Sequence, residues 1–262
     1  MALRILAVLL LLLAACAPGP APFNGPMVIG DTDPVRFSGR QPSTYPVRGM
    51  DAARFQTSVD WARAKAVGIE FAFLKATEGG DLKDIKFDDH WRGAGRAGIK
   101  RGAYHFYYFC ESPEVQAAFF IRTAPRTRGS LPPVLDMEWN PFSPTCQRRP
   151  DGATVRNEMR RWMDIVEAHY GQKPIIYTTP RFYAENGLSA FKGVDFWLRT
   201  TAKTPAEAYP GQPWRFWQYT ATGTLPNTPG AVDINAFNGS AEAWASWLER
   251  RTIRFAKAPS GS

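Results

Sequence analysis

Hydrophobic and polar positions along the chain change period in a regular way. Ile69-Glu70-Phe71-Ala72-Phe73-Leu74-Lys75-Ala76 is an apolar run of strand length, and Ile99 to Phe109, Leu131 to Glu138 and Pro174 to Thr178 read the same way. Helical spacing fills the gaps. It predicts a helix from Ser58, the N-cap, to Val67, and one carrying Phe87 and Trp91 that closes at Gly98. Ser112 to Thr123 has Pro113 in its first turn, and Ala153 to Tyr170 and a short stretch from Arg181 complete the set. Val47 to Asp51 opens the series as a short strand. Val194 to Arg199, Trp214 to Tyr219 and Ala231 to Phe237 follow as strands without long helices between them, and Ser240 to Arg251 is a last helix. Strands alternating with helices predict βα units around a parallel sheet. About eight strands predict a single irregular TIM-like β/α barrel with fewer helices than strands, over residues 47–251.

Outside that span the pattern breaks. Met1-Ala2-Leu3-Arg4 is a short basic start, and Ile5 to Ala15 is wholly apolar. About eleven residues are too few for a membrane span, which needs roughly 20, and suit the core of a signal peptide. The run ends Leu13-Ala14-Ala15-Cys16, which resembles the lipobox of bacterial lipoproteins. That resemblance implies a signal peptide over residues 1–15, lipidation of Cys16 and attachment to a membrane through the lipid. Ala17 in place of Asp implies, by the same resemblance, an outer-membrane protein facing the periplasm in a Gram-negative cell. Residues 16–46, rich in Pro, Gly, Ser and Ala, read as a tether, and residues 252–262 as a flexible tail.

Two properties of the whole chain add to this. Of three cysteines, Cys110 and Cys146 remain once Cys16 is assigned to lipid, and an even pair in an oxidising compartment predicts a disulfide between two loops. The formal charge of +8 suits an anionic partner such as cell-wall polymer. Lys and Arg are scattered rather than clustered, so no nucleic-acid partner is expected. No feature points to an oligomer, and a monomer is the default.

The chemistry concentrates in Leu135-Asp136-Met137-Glu138. Alternate strand residues face the same way, so Asp136 and Glu138 project side by side from an apolar segment, roughly 6.6 Å apart along the strand. Two carboxyls held close in an apolar wall push each other's pKa apart, and glycoside hydrolases are built on such a pair. In a barrel the reacting groups lie at the C-terminal ends of the strands. Those ends carry Asp51, Lys75 and Glu78, Tyr104 and His105, Tyr177, Trp197 and Arg199, Gln218 and Tyr219, and Asp233. Trp139 and Trp217 are candidates to stack on a sugar ring, whereas Trp91, Trp162 and Trp244 lie in helices and suit the core.

Other signals fail. Gly93 to Gly98 matches G-x-G-x-x-G but precedes a strand instead of following one, the wrong order for a dinucleotide site. There is no H-E-x-x-H, no local metal motif among His90, His105 and His169, and no G-x-S-x-G. Neither a cofactor nor a metal is expected.

Six short motifs occur in order: Arg48-Gly49-Met50-Asp51 with Gln56, Phe73 to Gly79, Gly102-Ala103-Tyr104-His105-Phe106, Leu135 to Glu138, Trp217-Gln218-Tyr219 and Val232-Asp233-Ile234-Asn235. Together they resemble glycoside hydrolase family 25, the N-acetylmuramidase type of lysozyme. The resemblance implies cleavage of the β-1,4 bond between N-acetylmuramic acid and N-acetylglucosamine in peptidoglycan. By it Glu138 is the general acid, Asp136 its partner, and Asp51 and Asp233 two further acids of the mouth. Tyr104 and Tyr177 then hydrogen-bond the substrate, with Trp139, Trp217, Gln218 and Tyr219 as further contacts, while Lys75 and Glu78 form a supporting ion pair. Trp197-Leu198-Arg199-Thr200-Thr201 departs from the family's smaller run after this Trp, and the Arg- and Pro-containing loop from Ser143 to Asp151 is unusual. An inactive barrel that only binds peptidoglycan is the alternative. A chitinase-like hydrolase is a third reading, weakened by the absence of upstream Asp residues between Leu131 and Leu135.

Overall fold

The computed structural model describes residues 27–255. The predicted signal peptide, Cys16, the start of the tether and residues 256–262 lie outside the described residues. In chain order the strands are β1 (Gly30–Asp31), β2 (Arg48–Ala52), β3 (Ile69–Glu78), β4 (Leu82–Lys83), β5 (Lys100–Phe106), β6 (Val134–Met137), β7 (Ile175–Thr178), β8 (Phe196–Arg199), β9 (Phe216–Thr224) and β10 (Val232–Phe237). The helices are α1 (Trp61–Ala66), α2 (Phe87–Arg96), α3 (Pro113–Thr123), α4 (Gly152–Tyr170), α5 (Pro180–Asn186), α6 (Pro205–Ala208) and α7 (Ala241–Arg251).

Eight of these strands close a barrel in the order β2-β3-β5-β6-β7-β8-β9-β10, with β10 pairing back onto β2. All neighbours are parallel except around β10, which runs antiparallel to both β9 and β2. The eighth strand is thus reversed relative to a uniform parallel barrel. Its first residues, not its last, reach the mouth formed by the C-terminal ends of the other strands.

Alternation along each strand separates two cores. Phe71 and Phe73, Val134, Ile175, Trp197, Phe216 and Phe237 point inward and fill the lower barrel, where Trp244 and Trp247 of α7, stacked at 5.4 Å, plug the floor. Ala72, Leu74, Leu135, Met137, Ile176 and Leu198 point outward under the helices. Gly49 faces inward opposite Phe71, and a Cβ there would lie 2.4 Å from the Phe71 ring, so glycine makes room for the floor to close.

The helix-poor third of the barrel is covered differently. Phe37 and Tyr45 pack on the outward face of Trp217, Phe37 edge-on at 4.8 Å, and β1 adds to β9. The second half of the segment read as a tether therefore does the work of a missing helix. Past α7, Ile253 is buried and its N–H donates to the Ser130 carbonyl at 2.8 Å, so the chain stays on the barrel to that point. One cap also differs from expectation. Asp60 rather than Ser58 caps α1, its side chain accepting from the Arg63 N–H, which places the cap directly before the first helical residue.

Candidate active site

The barrel mouth holds a cleft of roughly 290 Å³ lined by Asp51, Gln56, Lys75, Tyr104, Phe106, Asp136, Glu138, Tyr177, Trp197, Arg199, Gln218 and Asp233, together with Ala53 and Phe55. Each strand delivers its group by the same alternation that builds the core. On β6, Asp136 stands above inward-facing Val134, and Glu138 follows just past the strand end. Asp136 is 5 % exposed and Glu138 half-buried, so the first sits deep and the second nearer the opening.

Asp51 and Asp233 meet from opposite directions. They are paired residues in the antiparallel register of β2 and β10. Asp51 Oδ1 accepts from Asn235 Nδ2 at 2.8 Å and Gln218 Nε2 at 2.9 Å. Those amides are themselves oriented, since Trp197 Nε1 donates to Asn235 Oδ1 at 2.7 Å and the Tyr177 hydroxyl to Gln218 Oε1 at 2.9 Å. Asn235 belongs to the Val232 to Asn235 motif but has no site role assigned from the sequence. The signal was present, because it lies two positions after Asp233 on the same strand face.

Charge balance tunes the acids. Burial, then the negative charge of Asp233, drives the Asp51 carboxyl well above its ordinary value, against the two amide hydrogen bonds. Burial, then the Glu138 charge, raises Asp136 likewise. Burial lifts Glu138 against the pull of the Arg199 and Lys75 cations. Burial takes Asp233 to about 6, with Arg199 opposing. Asp136 and Glu138 thus hold a proton to higher pH than either would in water, as a pair. Lys75 is kept in place by Glu78, which also accepts from the Tyr108 hydroxyl, and the expected ion pair is formed. Burial and the surrounding acids keep Tyr104 and Tyr177 neutral phenols.

Among the described residues one buried oxygen of the site has no partner: Asp136 Oδ1. No three His, Cys, Asp or Glu side chains of the described residues stand close enough to share a metal ion.

Three residues named from the sequence lie elsewhere. Trp217 and Tyr219 point away from the barrel axis, as the alternation from inward-facing Gln218 requires. Trp217 is buried and donates to the Thr200 carbonyl at 2.8 Å, and Tyr219 lines an outer groove beside residues 29–43. Trp139 packs on Phe109 and Phe182 next to the cleft, with Glu138 on the edge of a small neighbouring pocket. The aromatic wall of the cleft itself is Trp197, Tyr104 and Tyr177.

The Cys110–Cys146 disulfide is present, its Cα atoms 5.8 Å apart. It joins the loop after β5 to the loop after β6 that begins at Glu138. The Arg148 guanidinium adds a bond to the Phe109 carbonyl at 3.2 Å, and Asp151 caps α4.

Comparison with known proteins agrees with this geometry. A family model described as glycosyl hydrolases family 25 matches residues 50–228. Lysozyme M1 of Streptomyces globisporus is 36% identical over 214 residues, covering 76% of this chain and 70% of that protein. A family 25 glycosyl hydrolase from Bacillus anthracis superposes with a TM-score of 0.70 at 32% identity, covering 77% of this chain and 93% of that one. A bacterial lysozyme from Streptomyces coelicolor does so at 0.69 and 33%, covering 79% and 99%. The shared barrel, and the acids that this sequence places at its mouth, lead to one conclusion: the chain belongs to glycosyl hydrolases family 25.

Proposed function

We propose that the protein is a peptidoglycan muramidase that cleaves the β-1,4 bond between N-acetylmuramic acid and N-acetylglucosamine, with Glu138 as general acid. The observation that carries the assignment of roles is the difference between the two β6 acids. Asp136 is deep, with an oxygen that lacks a partner, while Glu138 is half-buried beside the opening where a leaving sugar departs.

The working form of the pair is singly protonated. Glu138 carries the proton and gives it to the glycosidic oxygen as the bond to C1 breaks and the muramoyl ring gains oxocarbenium character. The substrate's own acetamido oxygen attacks C1, and its N–H donates to the Asp136 carboxylate, which stabilises the positive charge that develops on the amide. Glu138, now ionised, takes a proton from the water that opens the resulting ring intermediate. Asp51 and Asp233 hold the sugar and its water, and neutral Tyr104 and Tyr177 are placed to donate to the acetamido group or flanking hydroxyls. No step calls for a cofactor, a metal or a nucleic acid.

Lipidation of Cys16 would anchor this activity in the cell envelope, on the outer membrane facing the periplasm in a Gram-negative cell, as a monomer. Labelled palmitate that is incorporated into the wild type and not into Cys16→Ser tests the anchor. For the chemistry, reducing-end release from purified peptidoglycan is measured for Glu138→Gln. A loss of about 10²- to 10⁴-fold is expected, and turnover within tenfold of wild type would remove Glu138 from the acid role.

A further inference from the structure

Arg199 ends β8 two residues after Trp197, on the inward face of the strand, and borders the cleft with Asp51, Glu138 and Asp233. Its backbone is fixed, since its carbonyl accepts from the Tyr209 hydroxyl at 2.7 Å. The residue is half-buried. Yet among the described residues it forms no ion pair and donates no side-chain hydrogen bond, whereas Lys75, the other cation of the cleft, is committed to Glu78. Its charge is felt by Glu138, Asp233 and Asp51, but none of their carboxylates pairs with it directly. Asp51 Oδ1 is instead held by the Asn235 and Gln218 amides. A guanidinium offers up to five N–H donors in a planar fork that matches a carboxylate bidentately. In a cleft whose other charged lining is mostly acidic, an uncommitted fork is a place for an anion brought by the substrate.

We propose that Arg199 is a specificity-determining residue that binds a carboxylate carried on the 3-O-lactyl arm of the muramoyl sugar. The proposal rests on the muramidase reading, because that arm is what distinguishes muramic acid from glucosamine. In peptide-free glycan the carboxylate is the lactyl group itself. In peptide-bearing glycan that carboxyl is an amide, and the nearest carboxylates belong to acidic residues of the stem peptide. Both present the same ligand chemistry to Arg199.

The test compares wild type, Arg199→Gln and Arg199→Lys on peptide-free and on peptide-bearing glycan, each before and after carbodiimide amidation of its carboxyls. Wild type is expected to lose about tenfold or more in kcat/KM on amidation, mainly through KM, as befits a charge-assisted bidentate contact. Arg199→Gln is expected to turn over treated and untreated glycan alike, within about threefold, and Arg199→Lys to recover part of the preference as a point charge without the fork. A preference seen with peptide-free glycan identifies the lactyl carboxylate, and one seen only with peptide-bearing glycan identifies the stem. Equal sensitivity to amidation in wild type and Arg199→Gln overturns the proposal. So does an equal loss on all substrates accompanied by a displaced pH profile, which would make Arg199 a tuner of the acids. Co-sedimentation of the Glu138→Gln and Glu138→Gln/Arg199→Gln proteins with the same glycans reads the contact without turnover. If wild type releases no reducing ends, the muramidase reading fails, and the binding comparison still decides whether Arg199 selects carboxylates.

Discussion

Asp51 and Asp233 are register partners on strands that run in opposite directions, so their Cα atoms lie about 4.5–5.5 Å apart across the β2–β10 seam. Two carboxyls so placed cannot both ionise freely, and the negative charge of Asp233 adds to burial in raising Asp51. Replacing Asp233 by Asn is therefore expected to lower the Asp51 pKa. A ¹³C NMR titration of the aspartate carboxyls measures this, and an unmoved or raised Asp51 would contradict it. If Asp233 positions the sugar and its water as proposed, the same substitution should lower kcat by about tenfold or more.

Asp136 offers a test of stability against function. Its carboxyl is raised well above the ordinary 3.8 by burial and by Glu138. The folded protein thus binds this proton more tightly than the unfolded chain does. The stability that follows is present below the unfolded pKa and lost as pH rises through the folded one, at about 1.4 kcal/mol for each pH unit between the two. Asp136→Asn cannot ionise and escapes that loss. It should melt above wild type at pH 7, by about 2–4 °C per kcal/mol, match it near pH 4, and be nearly inactive on peptidoglycan. Calorimetry at both pH values checks the sign.

Lys75 pulls down the pKa of both Asp136 and Glu138. In Lys75→Met the pair should keep its proton to higher pH, so the alkaline limb of kcat/KM should move upward. A limb that moves toward acid would mean that Lys75 acts on the substrate and not on the acids.

Trp217 is a buried bridge between the barrel and the segment around Phe37 and Tyr45. Trp217→Ala should cost about 3–5 kcal/mol of stability, as large-to-small changes in a core do, with little change in KM for the molecules that remain folded. A large KM effect in a stable protein would restore its candidacy as a sugar platform.

The disulfide closes a loop with a sequence separation of 36 residues. Replacing both Cys110 and Cys146 by Ala should cost about 3–4 kcal/mol by chain entropy. Because the freed segment begins at Glu138, kcat should also fall under conditions where the protein is still folded, which a thermal melt paired with an activity assay separates.

The strand and helix pattern was legible in the sequence because each element obeys its own period. Ile69–Glu78 and Gly152–Tyr170 follow their expectations within two residues, and D-x-E on one strand face follows from alternation alone. The disulfide pairing followed from cysteine count once Cys16 was set aside. Other features were decided only by the tertiary structure. Local pattern carries no information on strand direction, so the reversal of β10 appears only when the barrel closes. Alternation fixes which residues share a face but not which face is inside, and that choice sends Gln218 to the cleft and Trp217 and Tyr219 outward. Pairing across non-consecutive strands decides the rest: Asn235 reaches Asp51, the segment around Phe37 covers bare strands, and Arg199 stands among acids with no ion pair or side-chain hydrogen bond among the described residues. Such contacts join residues far apart in sequence, where no periodicity can register them.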